Sequence, residues 1–488
     1  MTSPGRGPLD AVVVGAGPNG LAAAILLARA GHEVKVLERA AEPGGGARSA
    51  ELTMPGFVHD VCSAIHPFGR TSPFFAEVDL ARHGLHWVEP PVAVAHPLDG
   101  GRAVLVTRDV EATAGQLGRD AAAYRGLVGP LVRSFGPLIP DILAPFHVPL
   151  SPRRAARLAW FGFHALQPAA LLARRFEDEA ARATLAGFAA HSVLPLSEPI
   201  SGAAALVMLG SAHFDGWPFP AGGSGQITRA LVAELAALGG AVETEHAVLS
   251  LADLPPSRVA VFDTGPRALV EVAGRRLPAG YRRALRRFRY GPSVFKLDLA
   301  LDGPIPWQAD GVDQAGTVHV GGTFEEIAAS EADAAEGRAS ERPFVLLAQQ
   351  SRFDRSRAPG NAESVWAYCH VPHGSTVDMT DAILRQVERF APGVRDRIMA
   401  VSKIDADDLA GYNPNNVGGD MTGGRMGLRQ LFTRPAIRVD PYSTPDPRLF
   451  LCSSSTPPGG GIHGMCGLHA AHSVLQRLER GTRNREDE

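Results

Sequence analysis

The stretch AVVVGAGPNG, residues 11–20, decides the fold of this chain. Its apolar run 11–14 ends at a glycine, which favours a buried parallel strand. Residues 18–30 are mostly helix formers and stop at Gly31, the composition of an amphipathic helix with its terminator. Residues 33–37 predict a second strand. This order of strand, glycine turn, helix and strand predicts the opening unit of a doubly wound α/β fold.

The three glycines of this turn predict separate roles in binding a dinucleotide. Gly15 allows the tight turn, Gly17 lets a pyrophosphate approach the backbone, and Gly20 permits close packing of helix against strand. The helix start also offers free N–H groups and a partial positive charge to phosphates. Glu38 ends the second strand, where a carboxylate accepts hydrogen bonds from ribose hydroxyls. A glycine turn without nucleotide is the alternative, and the acid at the right offset weighs against it.

Two further glycine segments extend the predicted site. Residues 43–49, PGGGARS, expose backbone N–H groups and add the cation of Arg48; the alternative is a flexible connector. Near the C-terminus, the strand-like LFLC at 449–452 leads into SSSTPPGGGIHG at 453–464, followed by a helix. Such a turn brings backbone N–H groups to a flavin ring oxygen and stabilises the charge of reduced flavin. The alternative is a turn that only ends a strand.

Composition narrows the function class. A length of 488 residues predicts two domains, and a net charge of −3 argues against a nucleic-acid partner. The four cysteines form no CxxC pair, so we expect neither a disulfide reductase nor a metal site. We expect a cytoplasmic protein, because a disulfide framework is not indicated. We expect no transmembrane helix, because no uncharged apolar stretch of about 18 residues occurs.

Together with Asn413-Pro414-Asn415 and Gly418-Gly419-Asp420, these segments resemble the phytoene desaturase-like FAD-dependent oxidoreductases. The nearest branch is the one described as phytoene dehydrogenase-related or pyridine nucleotide-disulfide oxidoreductase domain-containing. The resemblance covers nearly the whole chain. Its first 66 residues are shared with amine oxidase-like flavoproteins and so indicate FAD but no substrate. The implied fold is α/β, with a Rossmann-type FAD-binding domain interleaved with a mixed sheet-plus-helix substrate domain.

The resemblance implies boundaries and contacts. The FAD-binding domain is expected from three segments, 8–90, 221–290 and 406–482, and the substrate domain from a helical part, 91–220, and a sheet part, 291–405. The cofactor is FAD, bound non-covalently. The residues expected to contact it are Gly15, Gly17, Pro18, Asn19, Gly20, Glu38, Arg39, Gly45, Arg48, Val248, Ser454, Gly461 and Ile462. No bound NAD(P)H is expected, because Gly222-Gly223-Ser224-Gly225 follows no apolar strand and is interpreted as a structural turn.

The expected reaction is dehydrogenation or desaturation of a hydrophobic small molecule, isoprenoid- or lipid-like, with oxygen or a quinone as electron acceptor. His463, His66 and His213 are the candidate proton acceptors. Ser453 stands where the family usually has glycine, and Pro457 stands where it often has histidine before Pro-Gly-Gly. The second difference weakens the expectation of a catalytic histidine in this turn. The alternatives are an amine or alcohol oxidase, an isomerase or saturase, and a non-catalytic flavin-binding protein.

Two segments carry further expectations. Residues 137–176 combine prolines, aromatics and paired arginines. We interpret them as helices of a solvated lid, with a peripheral membrane contact as the alternative. Residues 330–341 are acidic, small and polar, which predicts an exposed segment. The sequence leaves the oligomeric state open, a dimer included.

Overall fold

Two sheets organise the chain, which the computed structural model describes over residues 7–486. The strands are β1 Leu9–Val14, β2 Val34–Leu37, β3 Ser49–Glu51, β4 Val58–Asp60, β5 Trp87–Val88, β6 Val92–Leu98, β7 Arg102–Val106, β8 Phe219–Pro220, β9 Ala241–Glu243, β10 Ser257–Phe262, β11 Ser293–Leu301, β12 Ala315–Val320, β13 Val345–Ala348, β14 Glu363–Val371, β15 Ile398–Ile404 and β16 Leu449–Leu451.

Helices fill the connections between these strands. They are α1 Pro18–Arg29, α2 Pro73–Glu77, α3 Val110–Ala114, α4 Ala121–Ile142, α5 Pro152–Ala165, α6 Ala169–Ala173, α7 Glu179–Ala190, α8 Ser201–Phe214, α9 Gly225–Ala237, α10 Pro266–Ala273, α11 Ala279–Arg286, α12 Phe324–Ala335, α13 Thr380–Phe390, α14 Ala406–Tyr412, α15 Leu428–Leu431 and α16 Met465–Glu486. Among the residues described, no helix is both long enough and apolar enough to cross a bilayer.

The first sheet is parallel and joins distant parts of the chain. Its strand order is β16-β10-β1-β2-β9, and every pairing in it is parallel. The carboxyl ends of β1, β10 and β16 therefore lie at one edge, which is where ligands bind in open α/β sheets. The apolar runs of these strands are buried, as expected for a sheet covered on both faces.

The second sheet is mixed and has the strand order β15-β11-β14-β13-β12-β6-β7. Only β12 and β6 pair in parallel; the other neighbours are antiparallel. One face packs on α13 in its own apolar cluster. The opposite face packs on α7 and α12 and belongs to the large cluster shared with α1. A parallel Rossmann-like sheet plus a mixed sheet and helices confirms the predicted fold class; the domain boundaries themselves stay a prediction.

One helix tolerates internal prolines, and one local expectation needs correction. Helix α4 continues to Ile142 through Pro137 and Pro140, at the start of the segment 137–176 that the sequence predicted to be helical. Its buried apolar stripe, which includes Phe135 and Leu138, holds the helix on the core, and this packing outweighs the lost backbone hydrogen bonds. The predicted exposure of residues 330–341 was wrong for the first residues of this segment. Ser330, Glu331 and Ala334 lie on the buried side of α12.

The segment after α4 exposes large apolar side chains. Phe146, Leu150 and Phe163 are 80%, 97% and 67% exposed, respectively. Arg154 and Arg157 of α5 meanwhile pair with Asp141 of α4, which ties the segment to the helical layer. Exposed apolar groups beside arginines fit a lid as well as a membrane contact, so both interpretations of this segment stay predictions.

Candidate functional site

The glycine turn between β1 and α1 is packed too closely for side chains. Gly15 has a φ of +101°, which favours glycine. A Cβ at Gly17 would lie 2.6 Å from Oδ2 of Asp263. A Cβ at Gly20 would collide with the carbonyl oxygen of Gly15 and lie 3.0 Å from Cβ of Asp263. The turn thus brings bare backbone to the carboxyl edge of the parallel sheet, as the sequence predicted.

Glu38 follows β2 and faces the same turn. Its side chain accepts hydrogen bonds from Ala16 N–H at 2.8 Å and from Ala40 N–H at 2.9 Å. The guanidinium of Arg48 lies 3.6 Å from Oε1. Each carboxylate oxygen keeps further acceptor capacity, so these contacts orient Glu38 and leave room for ribose hydroxyls.

The neighbouring predicted contacts divide into two groups. Val248 belongs to a segment that is held beside Glu38, because His246 N–H donates to the Glu38 carbonyl at 2.8 Å. Arg39 instead is exposed and reaches the carbonyl of Gly411 at 3.5 Å. The structure therefore brings the Val248 segment close to the turn and points Arg39 towards α14.

The second glycine loop lies directly against the first turn. Gly44 N–H donates to the Ala16 carbonyl at 2.9 Å, and a Cβ at Gly45 would lie 3.2 Å from Cα of Gly17. The Tyr412 hydroxyl donates to the Gly45 carbonyl at 2.9 Å, and its ring faces the guanidinium of Arg48 at 5.3 Å. Gly45 and Arg48 are thus placed beside the glycine turn, and α14 closes this side of the site.

The C-terminal turn arrives at the same edge through β16. Cys452 N–H donates to the Phe262 carbonyl at 2.9 Å, which continues the pairing with β10. Ser454 packs against Gly423, where a Cβ would collide with its hydroxyl. Gly461 has a φ of +133°, and Ile462 packs against the large apolar cluster. Helix α16 then crosses α1 closely at Gly467, where an added Cβ would lie 2.9 Å from Cβ of Ala22.

The three candidate histidines bond to three different elements. His66 shares a 2.8 Å hydrogen bond with the Ser224 hydroxyl, and the Tyr124 hydroxyl lies 2.6 Å from Nε2 of His213. Met465 N–H donates to Nδ1 of His463 at 3.1 Å. Burial lowers the pKa of His66, His213 and His463 to about 4. Their imidazoles are neutral at pH 7, and their catalytic roles stay predictions.

The two motifs that accompany the turns order loops. Asn415 accepts a hydrogen bond from Gly265 N–H at 2.8 Å and its amide lies 3.5 Å from the Asp263 carbonyl. Asp420 accepts from Gly291 N–H at 2.7 Å and from the Thr422 hydroxyl at 2.7 Å. Both residues hold the segment between β10 and β11 by hydrogen bonds. This is the structural role that the sequence left open.

The structure adds a buried polar face that sequence reasoning missed. On β11, Lys296 and Asp298 form a buried ion pair, and across the sheet they face Tyr368 and Trp366 of β14. Nδ1 of His59 lies 3.5 Å from Oδ1 of Asp298. Burial raises the pKa of Asp298 to about 6 although Lys296 opposes this. The signal was visible as two charges alternating within the apolar run 293–301.

A second missed cluster joins the β3–β4 pair to the start of α9 and to the segment before β14. Asp60, fully buried, accepts from the guanidinium of Arg357 at 2.6 Å, from the Ser49 hydroxyl at 2.7 Å and from Ser224 N–H at 2.6 Å. Burial opposes ionisation of Asp60, but the Arg357 contact lowers the pKa of this carboxyl. The Gly222–Gly225 segment is therefore part of a structural junction, consistent with its interpretation as a turn.

Comparisons with known proteins agree with this architecture. The family described as an NAD(P)-binding Rossmann-like domain matches residues 13–78. Over 548 residues the chain is 26% identical to pyridine nucleotide-disulfide oxidoreductase domain-containing protein 2 of Rattus norvegicus, covering 96% of this chain and 94% of the relative. It is also 32% identical over 120 residues to a limonene dehydrogenase polypeptide of Castellaniella defragrans, covering 24% of this chain and 22% of that polypeptide.

Solved structures share the whole fold. An oxidoreductase from Methanosarcina mazei superposes with a TM-score of 0.66 at 18% identity, covering 96% of this chain and all of the other. Putrescine oxidase bound to putrescine superposes with a TM-score of 0.63 at 16% identity, covering 96% and 98%. The chain therefore contains an N-terminal segment that matches an NAD(P)-binding Rossmann-like domain, shares its fold with these solved structures, and is similar over nearly its full length to a pyridine nucleotide-disulfide oxidoreductase domain-containing protein.

Proposed function

We propose that this chain is an FAD-dependent oxidoreductase that dehydrogenates a small organic molecule. One observation carries the proposal: the turns after β1 and β16 and the loop of Gly45 meet at one edge of the parallel sheet. Sequence segments more than 400 residues apart thereby build a single crevice. A nucleotide site that served NAD alone would not need the second and third of these segments.

The residues of the crevice fit a dinucleotide. Glycine backbone at Gly17 and Gly20 lies where a Cβ would collide with its neighbours. Oδ1 of Asn19 is buried at the start of α1 without a hydrogen-bond partner, and the helix start offers N–H donors to phosphate. Arg48 adds a cation 3.6 Å from Glu38. These groups would hold the pyrophosphate and the adenosine ribose of FAD.

Bound FAD would supply the acceptor for a hydride from a substrate carbon. The chain's own part is binding, orientation and exclusion of water. The turn of Gly461 and Ile462 offers backbone N–H groups at the C-terminal side of the crevice, where donors stabilise developing negative charge. The neutral imidazoles of His66 and His463 can accept hydrogen bonds, but burial lowers their pKa to about 4 and makes them weak bases. Substrate protons would therefore leave to water or to the polar face of β11.

For the substrate we propose an apolar molecule of isoprenoid or lipid type. The partial similarity to the limonene dehydrogenase polypeptide supports this class, and so does the apolar cluster that lines the helix-facing side of the mixed sheet. The expected product carries one more carbon–carbon double bond, and electrons pass on to oxygen or a quinone.

Amine oxidation is a second candidate, favoured by the polar face. The Trp366 and Tyr368 rings lie edge to face at 5.0 Å, next to the buried pair of Lys296 and Asp298. Aromatic faces and a carboxylate are groups that attract an ammonium. Putrescine oxidase shares the fold, which is compatible with this candidate.

Flavin uptake followed by anaerobic titration tests the proposal. We expect the purified chain to bind FAD, and its absorption near 450 nm (a general property of oxidised flavin) to bleach with a monoterpene such as limonene. Bleaching by putrescine or benzylamine instead, with peroxide release in air, would replace the first substrate class by the second. Bound FAD that no substrate bleaches would favour a non-catalytic flavin-binding protein, and a chain that takes up no FAD would overturn the proposal.

A further inference from the structure

A carboxyl group occupies the place where the glycine turn would meet phosphate. Asp263 directly follows β10, and its Oδ2 accepts a hydrogen bond from Gly20 N–H at 2.9 Å. The same oxygen would lie 2.6 Å from a Cβ at Gly17. Helix starts attract anions, so Asp263 occupies part of the site that a pyrophosphate needs.

The backbone around Asp263 holds this position on both sides. Its own N–H donates to the Val14 carbonyl at 2.8 Å, which extends the pairing of β10 with β1. On the far side, the side-chain amide of Asn415 contacts the Asp263 carbonyl. The side-chain oxygen of Asn415 accepts a hydrogen bond from Gly265 N–H. The carboxyl therefore cannot leave the turn by a simple movement of the loop.

Among the side chains that the structure describes, residues 7–480, no lysine, arginine or histidine forms a salt bridge with Asp263. The side chain is partly exposed but closely surrounded by protein atoms. Burial raises its pKa well above the usual value; the hydrogen bond from Gly20 N–H opposes this rise, and the nearby Glu38 charge adds to it. The other titratable neighbours are Cys452 and Cys466, whose thiol pKa values burial raises, so both stay uncharged.

We infer that Asp263 binds the cofactor as a neutral carboxylic acid, which donates a hydrogen bond to the pyrophosphate and makes FAD affinity fall as pH rises. This inference rests on the proposed function. A protonated carboxyl is both donor and acceptor, so it can keep the Gly20 N–H and still serve a phosphate oxygen. An ionised carboxylate in the same place would repel the two phosphate charges and compete for the helix start.

The sign of the effect follows from the charge states. Below the pKa of Asp263 the group is neutral and assists binding; above that pKa it carries a negative charge beside the pyrophosphate, whose own charge does not change across this range. Binding of FAD therefore raises the pKa of Asp263 further and takes up a proton. Affinity is greatest at the acid end of the range in which the protein stays folded.

Equilibrium binding to the FAD-free chain tests this inference, with flavin fluorescence and circular dichroism as readouts between pH 6.5 and pH 9. For the parent chain we expect the dissociation constant to rise about tenfold or more across this range. Asp263→Asn keeps the shape and an amide donor, so its affinity should vary by about threefold or less and exceed the parent's at pH 9. Asp302→Asn, a surface change in the other sheet, is the matched control and should follow the parent.

The outcomes separate the two claims. A chain that binds no FAD at any pH overturns the proposed function. A chain that binds FAD with a pH-independent affinity, or an Asp263→Asn variant that binds more weakly than the parent at pH 9, overturns the role of Asp263 alone. Asp263→Ser is the second variant if Asp263→Asn fails to fold; it removes the same charge and should abolish the same pH dependence.

Discussion

At the scale of single residues, the site depends on glycine backbone that no side chain covers. Gly15, Gly17 and Gly20 pack against β10 so closely that an added methyl group meets backbone or the Asp263 carboxyl. The sequence predicted these three roles because the chemistry of a phosphate turn is local. It did not predict Asp263, because nothing local places residue 263 beside residue 20.

We expect Gly20→Ala to abolish or strongly weaken FAD uptake and to destabilise the chain. Its Cβ would collide with the carbonyl of Gly15 and crowd the side chain of Asp263. Both residues directly follow strands and are held there by backbone hydrogen bonds to Leu37 and Val14. Overpacking of this kind costs about 1–3 kcal/mol. Flavin content after purification and the free energy of unfolding measure the effect.

Gly280→Ala is the control for this change. An added Cβ at Gly280 meets no atom within 4 Å, and the residue lies in α11, where alanine is the better helix former by about 1 kcal/mol. This variant should keep full flavin content and gain slight stability. Equal flavin content in both variants would contradict the role assigned to Gly20.

At the scale of elements, a buried charge cluster joins β4, β8 and the segment that precedes β14. Asp60 at the end of β4 meets Arg357 near β14, and Arg357 also donates to the Pro220 carbonyl of β8 at 2.8 Å. The Arg357 side chain is only 1% exposed. Sequence patterns did not reveal this junction, since its residues are more than 290 positions apart.

Replacing Arg357 by Met should destabilise the chain by about 3–5 kcal/mol, because the change leaves Asp60 as a buried charge without its cation. Chemical denaturation monitored by circular dichroism measures this loss. Arg338→Met removes a guanidinium that pairs with Asp333 and Glu336 at the surface, and should cost at most about 1 kcal/mol. Similar losses in the two variants would refute the structural importance of the junction.

In α12, the local sequence pattern also predicts exposure for residues that tertiary packing buries. Residues 330–341 are polar in sequence, yet Ser330 and Glu331 are buried. The Ser330 hydroxyl accepts from Phe344 N–H at 2.9 Å, and Glu331 pairs with His370 of β14 at 2.8 Å. A polar residue is buried wherever the neighbouring element supplies its partner, and that partner lies outside the local window. The main helices and strands were predictable because their periodicity is local.

At the scale of the whole molecule, many histidines are buried in neutral form. Burial lowers the pKa of His59 and His191 to about 3 and that of His66, His96, His213 and His463 to about 4. The unfolded chain therefore binds more protons than the folded chain between about pH 4 and pH 6.5. The carboxyls of Asp298, Asp263 and Glu363, whose pKa values burial raises, oppose this trend.

We expect the free energy of unfolding to fall steeply as pH drops below 6.5, by about 1.4 kcal/mol per pH unit for each such histidine. Denaturation at pH 7, 6 and 5 measures the slope. His213→Gln removes one buried imidazole and should flatten the slope. His246→Gln should not flatten it, because the partly exposed His246 has its pKa raised by Glu243; a slope unchanged by His213→Gln would count against this origin.

The sequence by itself determined the Rossmann-like opening, the glycine turns and the α/β class, because strand and helix periodicity and the geometry of a phosphate turn act over fewer than about 30 residues. Only the tertiary structure decided which distant groups come together. The carboxyl of Asp263, the pair of Lys296 and Asp298 and the junction of Asp60 with Arg357 depend on which strands become neighbours. Which strands become neighbours depends on the burial of apolar faces from the entire chain. No single stretch of sequence therefore determines it.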